Sequence, residues 1–139
     1  MIPKFRAYST EKNEMYYPHN DKNVDLTIDD ETGFIAPLVN LGSGMWGMID
    51  KYELMQSTGL KDKNGVEIFE GDVVLVNVSN GFDHLVNEKT VVQESEFHSG
   101  LVCKSLISGM EYRIFSHQKM GYEYEVTGNI YENSELLEE

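Results

Sequence analysis

A single cysteine in 139 residues excludes an intrachain disulfide, and with it the small secreted scaffolds held together by bridges. Cys103 therefore points to a reducing compartment. Proline is also scarce, at 3 residues against 12 glycines, which excludes collagen-like and proline-rich linker chains. Basic residues number 11 against 24 acidic ones, a formal charge of −13, so a polyanion approaching this surface is repelled on average. Only a local basic patch would override the mean, and the sequence gathers little basic field. Residues 119–139 hold Lys119 alone against six glutamates, and Lys61 and Lys63 straddle Asp62. No window approaches the roughly 18 continuous apolar residues of a transmembrane helix. The start, Met1-Ile2-Pro3-Lys4-Phe5-Arg6, carries charge with no apolar run behind it and does not read as a signal peptide.

What is present is ordinary for a globular chain: 40% apolar residues, 25% charged and a length suited to one core. Lys4 to Tyr8 alternates polar and apolar, the period of a strand with one buried face. Residues 9–13 then supply turn chemistry before a returning strand, Glu14 to Tyr17. Val24, Leu26 and Ile28 alternate with Asp25 and Thr27, break at 29–33 and resume at Phe34-Ile35-Ala36, which reads as a second hairpin. Residues 37–48 carry Gly42, Gly44 and Gly47 around Met45 and the lone Trp46, and read as a loop delivering one large aromatic to the core or to a partner, with core the preferred reading. Residues 49–56 fit a short helix or a strand equally.

Further on, Asn64-Gly65 predicts a type I′ turn between Gly59-Leu60 and the run opened by Val66. Ile68-Phe69 and Val73 to Val78 flank the tight bend Glu70-Gly71-Asp72. More strands are expected at 90–94, 101–107, 110–115 and 122–131, with breaks at Asn80-Gly81, Ser99-Gly100, Ser108-Gly109 and Gly121. Short strands with turns about every ten residues argue a barrel or a sandwich. Only the tail looks helical, with Ser134 placed to cap a last turn. The stretch 37–47 is the one candidate linker, dividing an N-terminal part, 1–56, from a barrel-like part, 57–139, within one domain.

Constellations that would carry chemistry are thin. His19, His84, His98 and His117 lie far apart, so no metal motif exists. Cys103 with His98 or His117 as base would make a nucleophile, but its neighbours Leu101-Val102 argue a small buried hydrophobe. Glu123 and Glu125 share strand parity opposite Tyr122, Tyr124 and Val126, the pattern of a strand with one solvated face. The run Gly42 to Gly47 lacks the Lys-Ser/Thr ending and the following helix of a phosphate loop. No residue is assigned a catalytic, cofactor-binding or metal-binding role, and no cofactor is expected.

One segment has a signature. Leu54 to Val74, through Thr58-Gly59-Leu60-Lys61-Asp62 and Ile68-Phe69-Glu70-Gly71-Asp72-Val73, resembles the YopX family of phage and prophage proteins, and Lys4 to Tyr8 and Glu125 to Asn133 agree in order. The chain departs from the family pattern where Tyr8 stands for Trp, Ser57 for an aromatic, Thr127 for an aliphatic and Ser134 for Pro. The resemblance implies a bacterial or phage origin, a mainly β fold with an SH3-like barrel element beside N-terminal hairpins, and self-association. It implies no activity. Physically, Gly59, Gly65, Gly71 and Gly128 read as positions that need positive φ or close approach, and Leu60, Ile68, Val73 and Ile130 as core.

The resulting expectation is a non-enzymatic interaction or assembly module of the bacterial cytoplasm, a homo-oligomer with a host or phage protein partner, engaging neither membrane nor nucleic acid. A nucleic-acid-associated or DNA-mimicking accessory protein is the alternative, since a −13 surface imitates a phosphate backbone. Enzyme activity ranks third.

Overall fold

The computed structural model describes residues 4–18, 22–28, 35–42, 44–48, 51–79, 81, 84–97, 99–114 and 121–137. The protein is mainly β, and it divides into two compact units, Met1–Gln56 and Ser57–Glu139.

In the first unit, β1 (Phe5–Ser9) pairs with β2 (Glu14–Tyr16) on one side and with the opening half of β6 (Tyr52–Lys61) on the other, all antiparallel. The predicted hairpin is present. Its turn is held by Ser9 Oγ, which accepts from the Lys12 amide, and by Asn13, which adopts φ +55°. β1 does not bury one face only: Arg6 and Tyr8 of one parity and Ala7 and Ser9 of the other are all buried, so both faces of the strand are covered. β6 resolves the ambiguous 49–56 stretch as strand from Tyr52 onward.

The same unit holds a second antiparallel sheet, β3 (Val24–Ile28), β4 (Ile35–Gly42) and β5 (Met45–Met48), in that order. The expected hairpin is there, but the expected loop at 37–48 is not. Gly42 and Gly44 take φ +90° and +78° and serve a tight reversal, leaving the residues on either side free to pair. Pro37, which cannot donate to a ladder, lies opposite Leu26 and just before the β5 pairing that begins at Leu38.

The second unit is built on five antiparallel strands in the order β11 (Glu111–Tyr112), β10 (Leu101–Ser105), β9 (His84–Glu94), β8 (Asp72–Ser79) and β12 (Glu123–Asn129), curled into a half-barrel. Strands rich in β-branched residues make this sheet, and one face carries the core. Val74, Val76 and Val78 of β8 pack with Val92, Cys103, Tyr122, Tyr124 and Ile68, all under 6% exposed. Thr90, fully buried among them, spends its hydroxyl on the Val74 carbonyl at 2.8 Å, as a buried donor must. Of the four aliphatic residues expected in the core, Ile68 and Val73 are buried, whereas Leu60 and Ile130 are half-buried.

The signature segment joins β6 to β7 (Glu67–Phe69) and β8. Asn64 does not reach positive φ, so the loop is not a type I′ turn; only Gly65 does, at +82°. A buried carboxylate supplies what the second positive φ would have. Asp62 Oδ1 accepts from the Asn64 and Val66 amides, both at 2.9 Å, while Oδ2 accepts from the Val126 amide of β12 at 2.9 Å. The turn is thereby tied to the edge of the five-stranded sheet. At the other end of the segment, Gly71 at φ +88° lets Asp72 reach back to the Phe69 amide at 2.7 Å. The helical tail is a single 3-10 turn, Ser134–Leu137, opened by the Asn133 carbonyl rather than capped by Ser134.

Candidate interaction surfaces

Cys103 is fully buried, and burial pushes its thiol up to about 12, with the charge of Asp72 adding in the same direction and the neighbouring Thr90 hydroxyl acting against it. A thiol held protonated inside a core is a packing group, as its neighbours suggested. His98 and His117, its proposed bases, and His19 lie outside the described residues; His84 is exposed at the start of β9. Among the described residues no group of three or more His, Cys, Asp or Glu could hold a metal ion. Glu123 is exposed and Glu125 half-buried, opposite buried Tyr122 and Tyr124, the solvated face expected of this strand. Glu125 lies 4.0 Å from Lys63 Nζ, a half-exposed pair of little energetic weight. The buried carboxylates Asp62 and Asp72 were invisible to the sequence as such, and both act on backbone amides of turns.

Apolar surface is where the molecule departs from a plain solvated shell. Leu41, Met45 and Met48 are each 63% exposed and Trp46 is 44% exposed, so Trp46 is not the core residue expected. All four belong to one hairpin. The strand period places Trp46 and Met48 on one face of β5 and Met45 on the other, and Leu41 lies over Gly47, where a Cβ would come within 2.9 Å of its Cδ1. Among the described residues β5 pairs with β4 alone, which leaves its outer edge open to a further strand. Residues 32–49 contain no charged side chain, in a chain of net −13.

A second feature lies in the other unit. A groove of about 600 Å³ runs along the sheet face opposite the core, floored by Val91, Gln93 and Lys104. The Leu106–Gly109 turn, Ile130 and Leu137 complete its lining. Buried Ser105 builds the turn: its Oγ accepts from the Ile107 and Ser108 amides, both at 3.2 Å, and donates to Glu88. Lys104, the base in the lining, meets Glu96 at 2.9 Å.

The sequence model described as YopX protein matches residues 4–138. The chain belongs to the YopX family. Among solved structures, this YopX chain is similar to protein EF1440 from Enterococcus faecalis, with 33% identity, 99% of each chain covered and a TM-score of 0.61. It is also similar to protein yopX from Bacillus subtilis, with 18% identity, 97% of this chain and 98% of that one covered, and a TM-score of 0.67, a likeness of fold. No curated protein matches it. Both similarities run the length of the YopX fold, so the hairpin unit and the curled sheet belong to the family together. No described helix is long and apolar enough to cross a membrane.

Proposed function

We propose that this YopX-family chain is a non-enzymatic interaction and assembly module of phage or prophage origin, working in the cytoplasm of its bacterial host as a homo-oligomer. The observation that carries this reading is the β4–β5 hairpin: four exposed large apolar side chains, an open strand edge and no charge over residues 32–49. Two copies of a −13 chain repel each other, and the repulsion is weakest where the surface is neutral. Pairing β5 with β5 of a second copy satisfies the edge and removes the apolar side chains from water. The curled five-stranded sheet is, on this reading, the SH3-like element of the family. Light scattering on a sizing column tests it: the wild type runs as more than one chain, and Trp46→Ser with Met48→Ser runs as one. A wild type that stays monomeric at high concentration removes the proposal.

The charge supports a second reading, an accessory protein that imitates DNA toward DNA-binding host proteins. Titration against duplex DNA and against such proteins separates the cases. Binding to the proteins but not to DNA favours mimicry, and binding to neither leaves self-assembly.

A further inference from the structure

Met45 and Met48 flank the lone Trp46 in β5, and each is 63% exposed. A thioether reacts with a hydroperoxide where the two can meet, so exposure decides which methionine is oxidised first. Of the seven methionines, Met1 and Met120 lie outside the described residues. Met55 is 3% exposed and Met15 half-buried, which leaves Met110, 58% exposed in the other unit, as the third open thioether among the described residues. Cys103 does not compete for the oxidant: it is fully buried and held as the thiol, whereas the thiolate is the reactive form.

The two methionines also sit where a change of polarity counts. Residues 32–49 carry no charged side chain, and β5 is the open edge proposed to pair with a second copy. The strand period sends Met45 and Met48 to opposite faces, so each face of a paired β5 holds one thioether beside the partner strand, cross-strand neighbours being about 5 Å apart. A sulfoxide replaces that flexible apolar group with a strongly polar S–O acceptor. On pairing, the acceptor loses its water, and the hairpin has no lysine or arginine to answer it.

We propose that Met45 and Met48 form a reversible oxidation switch on self-assembly, which rests on the β5 pairing proposed above. A hydroperoxide transfers its terminal oxygen to each sulfur: the S–O bond forms as the O–O bond breaks, the sulfur loses two electrons, and the peroxide leaves as an alcohol or water. The separated chain is the substrate, because pairing covers β5. A methionine sulfoxide reductase returns the thioether, two thiols becoming a disulfide and the oxygen leaving as water. Oxidation dissolves the assembly and reduction restores it.

The test treats the full chain with dilute hydrogen peroxide, locates added oxygen by peptide mass spectrometry and follows assembly by light scattering. Met45 and Met48 are expected to gain one oxygen each well before Met55, more slowly at high protein concentration, and the oxidised chain to associate at least about tenfold more weakly. Sulfoxide reductases with dithiothreitol restore the association. Met45→Leu with Met48→Leu, which keeps size and apolarity, stays assembled under peroxide, and Met110→Leu dissociates like the wild type. Undiminished association of chains oxidised at both positions overturns the switch, and so does a leucine variant that peroxide still dissociates. Either result leaves the β5 pairing standing, whereas a wild type that is monomeric before any oxidant removes the pairing and the switch together.

Discussion

Three backbone amides converge on the carboxylate of Asp62, which is 7% exposed. Removing it leaves the donors of Asn64, Val66 and Val126, at a part-buried turn, without that acceptor, and three hydrogen bonds to a charged group are lost at once. Asp62→Ala is expected to destabilise the protein by about 3 kcal/mol in chemical denaturation, with Asp62→Asn in between because one oxygen is kept. At Gly128 the constraint is room rather than dihedral freedom. A Cβ there would lie 2.6 Å from Asn133 Oδ1 and 2.7 Å from Leu136 Cδ1, so Gly128→Ala is expected to cost about 2 kcal/mol and to loosen the 3-10 turn, read as faster amide exchange at Leu136. Cys103 makes a pH prediction. Its thiol is raised from 9.0 to about 12, so folding is favoured fully below pH 9 and that contribution is lost as pH rises from 9 toward 12. Denaturation midpoints should fall over that window, and less so in Cys103→Ala; an equal fall in both contradicts the assignment.

At the scale of elements, strand existence was legible and strand neighbours were not. Alternation in Val24 to Ile28 and β-branched density in Val73 to Val78 announced β3 and β8, since side-chain period and propensity are local. The glycines of 42–47 misled, because glycine density signals a turn without giving its length: Gly42 and Gly44 turn the chain, while Gly47 sits inside β5 where Leu41 leaves no space for a side chain. Asn64-Gly65 marked the right place and the wrong turn, since the Asp62 carboxylate that replaces one positive φ acts through Val126, 64 residues away. The apolar surfaces were illegible for the same reason. Trp46, Ile107 and Leu137 look like core residues in a sequence, and only the pairing of their strands and turns shows them exposed. The β4–β5 edge gives an element-level prediction: Met48→Lys, at a position 63% exposed, changes stability by no more than about 0.5 kcal/mol yet abolishes self-association, because a lysine on an open edge blocks strand addition. A matching loss of stability would mean that Met48 packs within its own chain.

For the whole molecule, charge orders the expected interactions. Salt screens the mutual repulsion of two −13 chains, so self-association through the neutral hairpin should strengthen as ionic strength rises. The central claim is that the open edge of β5 pairs with a second copy. Hydrogen exchange at the amides of Met45 to Met48, followed over a dilution series, tests this most directly. The account predicts protection that rises with protein concentration at these amides and stays constant in the core strands β8 and β9; protection of β5 independent of concentration would contradict it.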